Sequence, residues 1–338
     1  MLRSVVSLFA GIAALAAVAG VAFADEPLQL RYGDPGPPDA SIHTQLVAPW
    51  SEKVSKESDG TLSIKVFAGY TLVNMVNTMD RVANGVADFA FCILGPVSSQ
   101  FPKTLVATLP FEAENAHEAG LALQRLYDKG IIADEWTKVK PIGFGVFANT
   151  SYHTVPAVKT MADLKGVKIS VQGRLASATL ETLGGTPISL PINEVYESLQ
   201  RNMIQGSAIG WPAAVSFKLT DLAHNHVQAS LGAEAAIMIM NNQTYAKLAG
   251  KAKQAIDANI ALPYTNWFNQ VIDDTERDNI AITQKMGNQT IYKLPPDELA
   301  QWKKRVAPVI EDWTKKTPDG ARVLAAFRKE IAAIRSGS

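Results

Sequence analysis

Apolar and polar positions alternate in a repeating order along the first part of the chain. The stretch LQLRYG (28–33) alternates apolar and polar residues, which is typical of a half-buried strand. Over residues 43–58 the apolar positions instead recur at helical spacing. The run TLSIKVFAG and residues 87–94 are strand-like, and a helix is predicted between them over 73–84. This alternation predicts βαβ units and a mainly parallel sheet.

The same order restarts near residue 141. PIGFGVFAN is strand-like, KISV (168–171) predicts another strand, and the helix that follows over 175–183 stops at Gly184-Gly185. Two separate βαβ sets predict two α/β lobes around a cleft, with a ligand at the carboxyl ends of the strands. The remaining predicted elements are strands at TPISLP, 207–211 and 235–242, and helices at 193–201 with Asn193 as N-cap, 243–260, 261–286, and two within 297–335.

The first 24 residues have the order of a secretory signal peptide. One charge, Arg3, precedes an apolar and small-residue run that ends in Ala22-Phe23-Ala24. An uncleaved membrane anchor is the alternative, since the run is long enough to span a bilayer. The alanine-rich composition and the A-x-A ending favour cleavage after Ala24 and a periplasmic protein.

Composition excludes several classes of protein. The 32 basic and 32 acidic residues balance, so no basic field is available to bind nucleic acid or an anionic membrane. The single cysteine, Cys92, cannot form an internal disulfide. After removal of the signal peptide the chain is still long enough for two domains with well-filled cores.

Sequence signatures of catalysis are absent. The chain has no G-x-S-x-G, H-E-x-x-H or P-loop motif, and its five histidines lie in different predicted elements. His224-x-His226 is a weak metal signal that fits a solvated loop better. Cys92 ends an apolar strand, where a free cysteine is usually a small core residue, although it can also lie beside a pocket.

One arginine stands at an informative junction. In GVKISVQGRLASATLETLGGTPISLP (166–191), Arg174 follows a predicted strand and opens an apolar helix. Such an arginine is either a solvated surface charge or a guanidinium directed at an anion. The N-terminus of a helix favours an anion, and the planar guanidinium matches a carboxylate with two parallel hydrogen bonds.

Several segments resemble, in order and spacing, the solute-binding proteins of TRAP transporters (tripartite ATP-independent periplasmic transporters) of the DctP type. They are PPDASIH followed by PW-x-x-x-V, SDGTLSIKVFAGYTL, NGVADFAF, ADLKGVKISVQGR and LETLGGTPISLPINEVYESLQRNMIQG. The resemblance covers essentially the whole chain after the signal peptide. It implies an α/β, two-lobed periplasmic binding protein fold with a hinge, an inter-lobe cleft and a long helix spanning both lobes.

The resemblance also implies a division of the chain and a function. A receptor of this kind holds a carboxylate-bearing ligand in the cleft, closes over it and delivers it to the membrane permease subunits, with no catalysis and no cofactor; a monomer is expected. The implied segments are a signal peptide (1–24), lobe I (25–148), lobe II (149–232), a return segment of lobe I (233–262), and the spanning helix with the C-terminal helices (263–338).

The chain departs from the family pattern at three positions. The usual ligand-binding arginine is replaced by Ser170, and Arg174 stands four residues further on. Gln205 and Pro212 replace two acidic residues, while Trp211 between them is kept. Some relatives hold a metal with acidic ligands in lobe II, so these replacements predict that this chain binds none.

The predicted ligand site combines the arginine with residues at strand ends. Alternatives to Arg174 as the carboxylate partner are Ser170, Gln172, backbone N–H groups and hydroxyls. An aromatic-lined cleft with one arginine favours a monocarboxylate, for example one with an aromatic ring. A sugar acid, a 2-oxo acid and a dicarboxylate are the alternative ligands. The other predicted contacts are Tyr32, Tyr70, Phe91, Cys92, Asn149 and Trp211.

Two other classes of function remain as alternatives. An exported hydrolase with an unrecognised site would turn over the bound compound, whereas a receptor returns it unchanged. A two-lobed binding protein can also serve an ABC transporter or a sensor. The order of the TRAP-like segments and the long helix predicted from Ala261 favour the TRAP receptor.

Overall fold

The computed structural model describes residues 27–34 and 42–337, so the predicted signal peptide and most of PPDASIH lie outside the described residues. The strands are β1 (Leu28–Gly33), β2 (Leu62–Phe67), β3 (Phe89–Ile93), β4 (Val139–Val146), β5 (Ser151–Thr154), β6 (Lys168–Val171), β7 (Thr186–Ser189), β8 (Gly206–Ile209), β9 (Asn225–Gln228), β10 (Ala235–Asn241) and β11 (Thr290–Lys293). The α-helices are α1 (Ala48–Glu57), α2 (Thr78–Ala83), α3 (Ala116–Asp128), α4 (Gly173–Leu183), α5 (Ile192–Gln200), α6 (Trp211–Ser216), α7 (Asn242–Lys247), α8 (Gly250–Ala258), α9 (Leu262–Lys285), α10 (Pro296–Lys316) and α11 (Gly320–Arg335).

The strands form two sheets, which define lobe I and lobe II. The lobe I sheet has the order β2-β1-β3-β10-β4, and the lobe II sheet has the order β11-β9-β5-β8-β6-β7. Parallel pairing joins β1 to β2 and β3, and β6 to β7 and β8. The strands that arrive from the other lobe, β5 and β10, run antiparallel to their neighbours. The two α/β lobes are confirmed, and their sheets are mixed because of these crossing strands.

Strand β10 is an inner strand of the lobe I sheet, between β3 and β4, and is buried on both faces. Ala236, Met238 and Met240 point into the cluster that contains Trp50 and Tyr264. Ala235, Ile237 and Ile239 point into the opposite cluster, against α2, α3 and α11. This explains the continuous apolar run AAIMIM, because a strand covered on both faces needs no polar side.

The long helix α9 closes the open edge of β4. Thr265 Oγ1 accepts a hydrogen bond from the Phe144 N–H (3.0 Å), and Asn269 Oδ1 accepts one from the Val146 N–H (2.9 Å). Asn269 Nδ2 donates to the Phe144 carbonyl at 3.0 Å. Side chains of α9 therefore take the place of a sixth strand, and the backbone groups of this edge are satisfied.

The two C-terminal helices connect the lobes on the outside. Helix α10 packs against α4 of lobe II, and α11 packs against α3 of lobe I. Arg328 of α11 forms two hydrogen bonds with Glu112 (2.8 and 2.6 Å), and Arg335 forms two with Glu118 (3.1 and 2.8 Å). The predicted helices over 261–286 and 297–335 are confirmed. Within the described residues, none of the helices combines the length and the apolar character that a membrane crossing requires.

Three predicted helices differ from the structure. The helix predicted over 73–84 begins only at Thr78, because the Asn74 side chain accepts the N–H groups of Val76 and Asn77 and holds a turn there. Asn193 is not the N-cap of α5: Pro191 takes that position, and no side chain caps the helix. The helix predicted over 243–260 is divided into α7 and α8, which meet near Gly250 at φ +51°.

Candidate functional site

The lobes are joined by two hinge segments, residues 147–150 between β4 and β5 and residues 229–234 between β9 and β10. The segments are hydrogen-bonded to each other: the Phe147 N–H donates to the Glu234 carbonyl (2.9 Å), and the Thr150 N–H donates to the Gly232 carbonyl (2.8 Å). The carboxyl ends of the parallel strands open next to this hinge. The inter-lobe cleft is therefore where a ligand reaches both lobes.

Arg174 lies in the first turn of α4 and is exposed. Its guanidinium has no hydrogen bond or ion pair with any described residue, and no side chain caps the helix. The adjacent Leu175 packs against the core of lobe I, where α4 contacts the short 3-10 helix Gly95–Gln100. The unpaired cation and the uncapped N-terminus of α4 thus stand where lobe II approaches lobe I, an arrangement that suits an anion.

Ser170 and Gln172, the alternatives to Arg174, already have partners. The buried Ser170 hydroxyl donates to the Ser207 hydroxyl (2.9 Å) between the paired strands β6 and β8. Gln172 is exposed, and its Nε2 donates to the Leu190 carbonyl at 2.8 Å. Neither side chain carries a charge, so Arg174 is the stronger candidate of the three for holding a carboxylate.

Trp211 begins α6 directly after β8 and is fully buried. Its ring lies 4.8 Å from each of two histidine rings, His153 and His226, and its Nε1 has no hydrogen-bond partner. The two histidines are joined through their Nδ1 atoms (2.8 Å), with the Ile209 carbonyl beyond one and the Gln289 side chain beyond the other. From the sequence, His226 was noted only as half of the His224-x-His226 pair. The cluster with Trp211 and His153 was not predicted.

Burial lowers the pKa of both histidines. The pKa of His153 falls to about 3, through desolvation and then the neighbouring His226, and the pKa of His226 is also lowered by desolvation. Both rings are therefore neutral near pH 7. In the unfolded chain they bind protons below about pH 6.5. The folded state consequently loses stability as the pH falls from 6.5 toward the lowered pKa values.

We expect His226→Gln to make the fold less sensitive to acid. Below pH 6.5 a buried histidine that stays neutral costs up to about 1.4 kcal/mol of unfolding free energy per pH unit, and the variant has one such histidine fewer. Urea unfolding at pH 7.5, 6.5 and 5.0 measures the difference. His224→Gln is the control, since that ring is partly exposed, lies outside the Trp211 cluster and is hydrogen-bonded to the Asp221 carbonyl. Identical pH profiles for wild type and His226→Gln would contradict the expectation.

The other predicted contacts are spread between core and surface. Tyr32, Phe91 and Cys92 are buried in the lobe I core, and burial raises the pKa of the Cys92 thiol to about 12. Asn149, in a hinge segment, is buried and donates to the Ala113 carbonyl at 3.2 Å. Tyr70 is 56% exposed just after β2. Their contact with a ligand stays a prediction.

Glu234 is a residue at the cleft that sequence reasoning missed. It precedes β10 in a hinge segment, and its Oε1 accepts the Gly95 N–H (2.5 Å) just beyond the end of β3. Burial raises its pKa to about 7. The surrounding apolar sequence gave no signal, because only the return of the chain to lobe I brings this side chain to β3. No group of three potential metal ligands occurs in the described part of the chain.

Comparison with known proteins identifies relatives of the same build. The sequence profile of the DctP family, bacterial extracellular solute-binding protein family 7, matches residues 33–317. A TRAP solute-binding protein from Rhodoferax ferrireducens, solved with copurified benzoate, has a TM-score of 0.84 and 25% identity over 92% of this chain and 100% of its own. A marine metagenome TRAP protein described as specific for aromatic acids, solved with 3-hydroxybenzoate, has a TM-score of 0.83 and 28% identity over 90% and 98%.

A curated relative extends the match over nearly the full length. The C4-dicarboxylate-binding periplasmic protein DctP of Rhodobacter capsulatus is 21% identical over 344 residues, covering 98% of this chain and 99% of its own. The profile match spans most of the chain, and the two lobes, the hinge segments and the spanning helix α9 agree with it. The chain therefore belongs to the DctP family and is a TRAP-type solute-binding protein.

Proposed function

We propose that this chain is the periplasmic receptor that binds an aromatic or other monocarboxylate in the inter-lobe cleft and delivers it to TRAP permease subunits. The observation that carries the proposal is Arg174, an unpaired guanidinium at the uncapped start of α4 where the lobes approach. Arginine at such a position binds a carboxylate with two charge-assisted hydrogen bonds. A ligand with two carboxylates would need a second unpaired cation beside Arg174. A site built on a single arginine therefore favours a monocarboxylate.

Binding and closure are coupled through the hinge. A ligand on Arg174 touches lobe II, and it touches lobe I only when α4 lies close to the 3-10 helix Gly95–Gln100. Because the closed form makes more ligand contacts, binding shifts the equilibrium toward closure without covalent chemistry. The family consists of binding receptors, and we infer the same for this chain: ligand is released unchanged, not turned over.

Export and assembly follow from the same proposal. Removal of residues 1–24 after Ala24 releases the two lobes into the periplasm as a monomer. The proposed boundaries near 148 and 232 are supported by the two hinge segments, and the third, near 262, is placed at the start of α9. The closed, ligand-loaded form is the one expected to dock on the permease.

A thermal-shift screen of the processed protein tests the ligand class. We expect benzoate, 3-hydroxybenzoate and mandelate to raise the unfolding temperature, since a ligand at 100 times its dissociation constant adds about 2.7 kcal/mol of stability. Succinate, 2-oxo acids and galacturonate are the comparison set. Recovery of the bound acid unchanged excludes hydrolysis. A response only to sugars, amino acids or peptides would overturn the proposal.

A further inference from the structure

The Glu234 side chain connects the segment that follows β3 to the hinge. Its carboxyl group accepts the Gly95 N–H at the end of β3, while its backbone carbonyl accepts the Phe147 N–H of the other hinge segment. A Cβ atom on Gly95 would lie 3.0 and 3.1 Å from the two carboxyl oxygens of Glu234. Glycine at position 95 therefore leaves the room that this carboxyl group occupies.

Within the described part of the chain, only one of the two carboxyl oxygens has a hydrogen-bond partner. Oε1 bonds to Gly95, whereas Oε2 has no hydrogen bond with a described residue, and it is not among the fully enclosed polar atoms that lack a partner. The residue as a whole is partly buried. Oε2 is therefore not fully enclosed and keeps its acceptor positions unused by the described residues, at the strand ends where a two-lobed receptor holds its ligand.

Among the residues that the structure describes, no cation forms an ion pair with Glu234. The 3-10 helix Gly95–Gln100, the end of β4 and hinge residues 229–233 contain no charged side chain. Cys92 on β3 is a neutral thiol, and Glu112, beyond the loop that contacts the hinge, is paired with Arg328. Arg174 of α4 forms no ion pair with Glu234 among the described contacts. Desolvation without a counter-charge favours the protonated carboxyl group, in agreement with its pKa of about 7.

A bound anionic ligand strengthens the preference of Glu234 for its protonated form. An ionised Glu234 would repel the ligand carboxylate, whereas a protonated Glu234 can donate its O–H to it. We propose that Glu234 is the ligand-binding donor of the hinge, and that one organic-acid anion enters the cleft together with one proton, which Glu234 carries. The inference rests on the proposed function, because it requires an anion in the cleft.

Proton uptake can be measured directly by calorimetry. Benzoate, which is fully ionised above pH 6, is titrated into the processed protein at pH 8 in two buffers of different ionisation enthalpy. A free pKa of about 7 predicts uptake of about 0.9 proton per benzoate. Above pH 7 the apparent affinity is expected to fall about tenfold per pH unit.

Two variants distinguish Glu234 from other titrating groups. Glu234→Gln keeps a donor but has no titrating proton, so its benzoate affinity is expected to lose the pH dependence and its proton uptake to fall to zero. Glu276→Gln is the matched control: this glutamate of α9 also has a pKa raised to about 7, by desolvation and Asp273, and its removal should leave proton uptake unchanged. Melting curves show that both variants are folded.

The outcomes separate this inference from the proposed function. If benzoate stabilises the wild type but binds without proton uptake, the role of Glu234 is overturned and the acid receptor stands. Proton uptake that persists in Glu234→Gln also overturns it. If no acid of the screening panel binds, the proposed function fails and this inference fails with it.

Discussion

Replacing Asn269 by leucine is expected to lower the free energy of unfolding by about 2–5 kcal/mol. The side chain is fully buried on α9, where it accepts the Val146 N–H and donates to the Phe144 carbonyl. Leucine fills a similar volume but leaves both backbone groups of β4 buried and unpaired, at a cost of about 1–3 kcal/mol each. The position is also tight, since a Cβ on Gly120 would lie 2.1 Å from Asn269 Nδ2.

Urea unfolding followed by tryptophan fluorescence measures this loss. The control is Asn279→Leu on the same helix, because that amide is partly exposed and bonds only to the Thr275 carbonyl of its own helix. We expect the control to change stability by less than about 1 kcal/mol. Equal effects at the two positions would show that α9 does not satisfy the edge of β4 as described.

The sequence pattern predicted those elements that have strong periodicity of their own. Strands β1 and β6 occupy the predicted residues, and α9 begins and ends within one residue of the prediction. Strands β5, β9 and β11 were missed, because their sequences have no clear strand pattern of their own and they are fixed by pairing with strands that are distant in sequence. The hydrogen bonds from Thr265 and Asn269 to the edge of β4 could not be predicted either, since they depend on packing between segments that are distant in sequence.

The candidate site shows the same limit. Arg174 was identifiable because a strand, an arginine and an apolar helix follow one another locally. The position of Trp211 between two histidine rings requires β5, β9 and α6 to meet, and no local pattern carries that information. Glu234 reaches Gly95 across 139 positions of sequence. Contacts of this kind follow from the fold and not from residue spacing.

Arg174→Ala is expected to weaken binding of the preferred acid by about 30- to 1000-fold, since truncating one partner of a desolvated charge pair costs about 2–4 kcal/mol. The free protein should be nearly as stable as the wild type, because Arg174 is exposed and has no partner among the described residues. Calorimetric titration with benzoate measures the affinity. At a benzoate concentration that saturates the wild type, the rise in unfolding temperature caused by benzoate should be correspondingly smaller for the variant.

Two further variants show whether charge or geometry at this position matters. Arg174→Lys keeps the charge but loses the planar fork, so we expect an intermediate loss of about tenfold. Arg201→Ala removes an arginine that is paired with Glu197 on the exposed face of α5, and it should bind benzoate like the wild type. If Arg174→Ala and Arg201→Ala bind equally well, the carboxylate is held elsewhere. The backbone N–H groups at the start of α4 would then be the next candidates, because no side chain caps that helix.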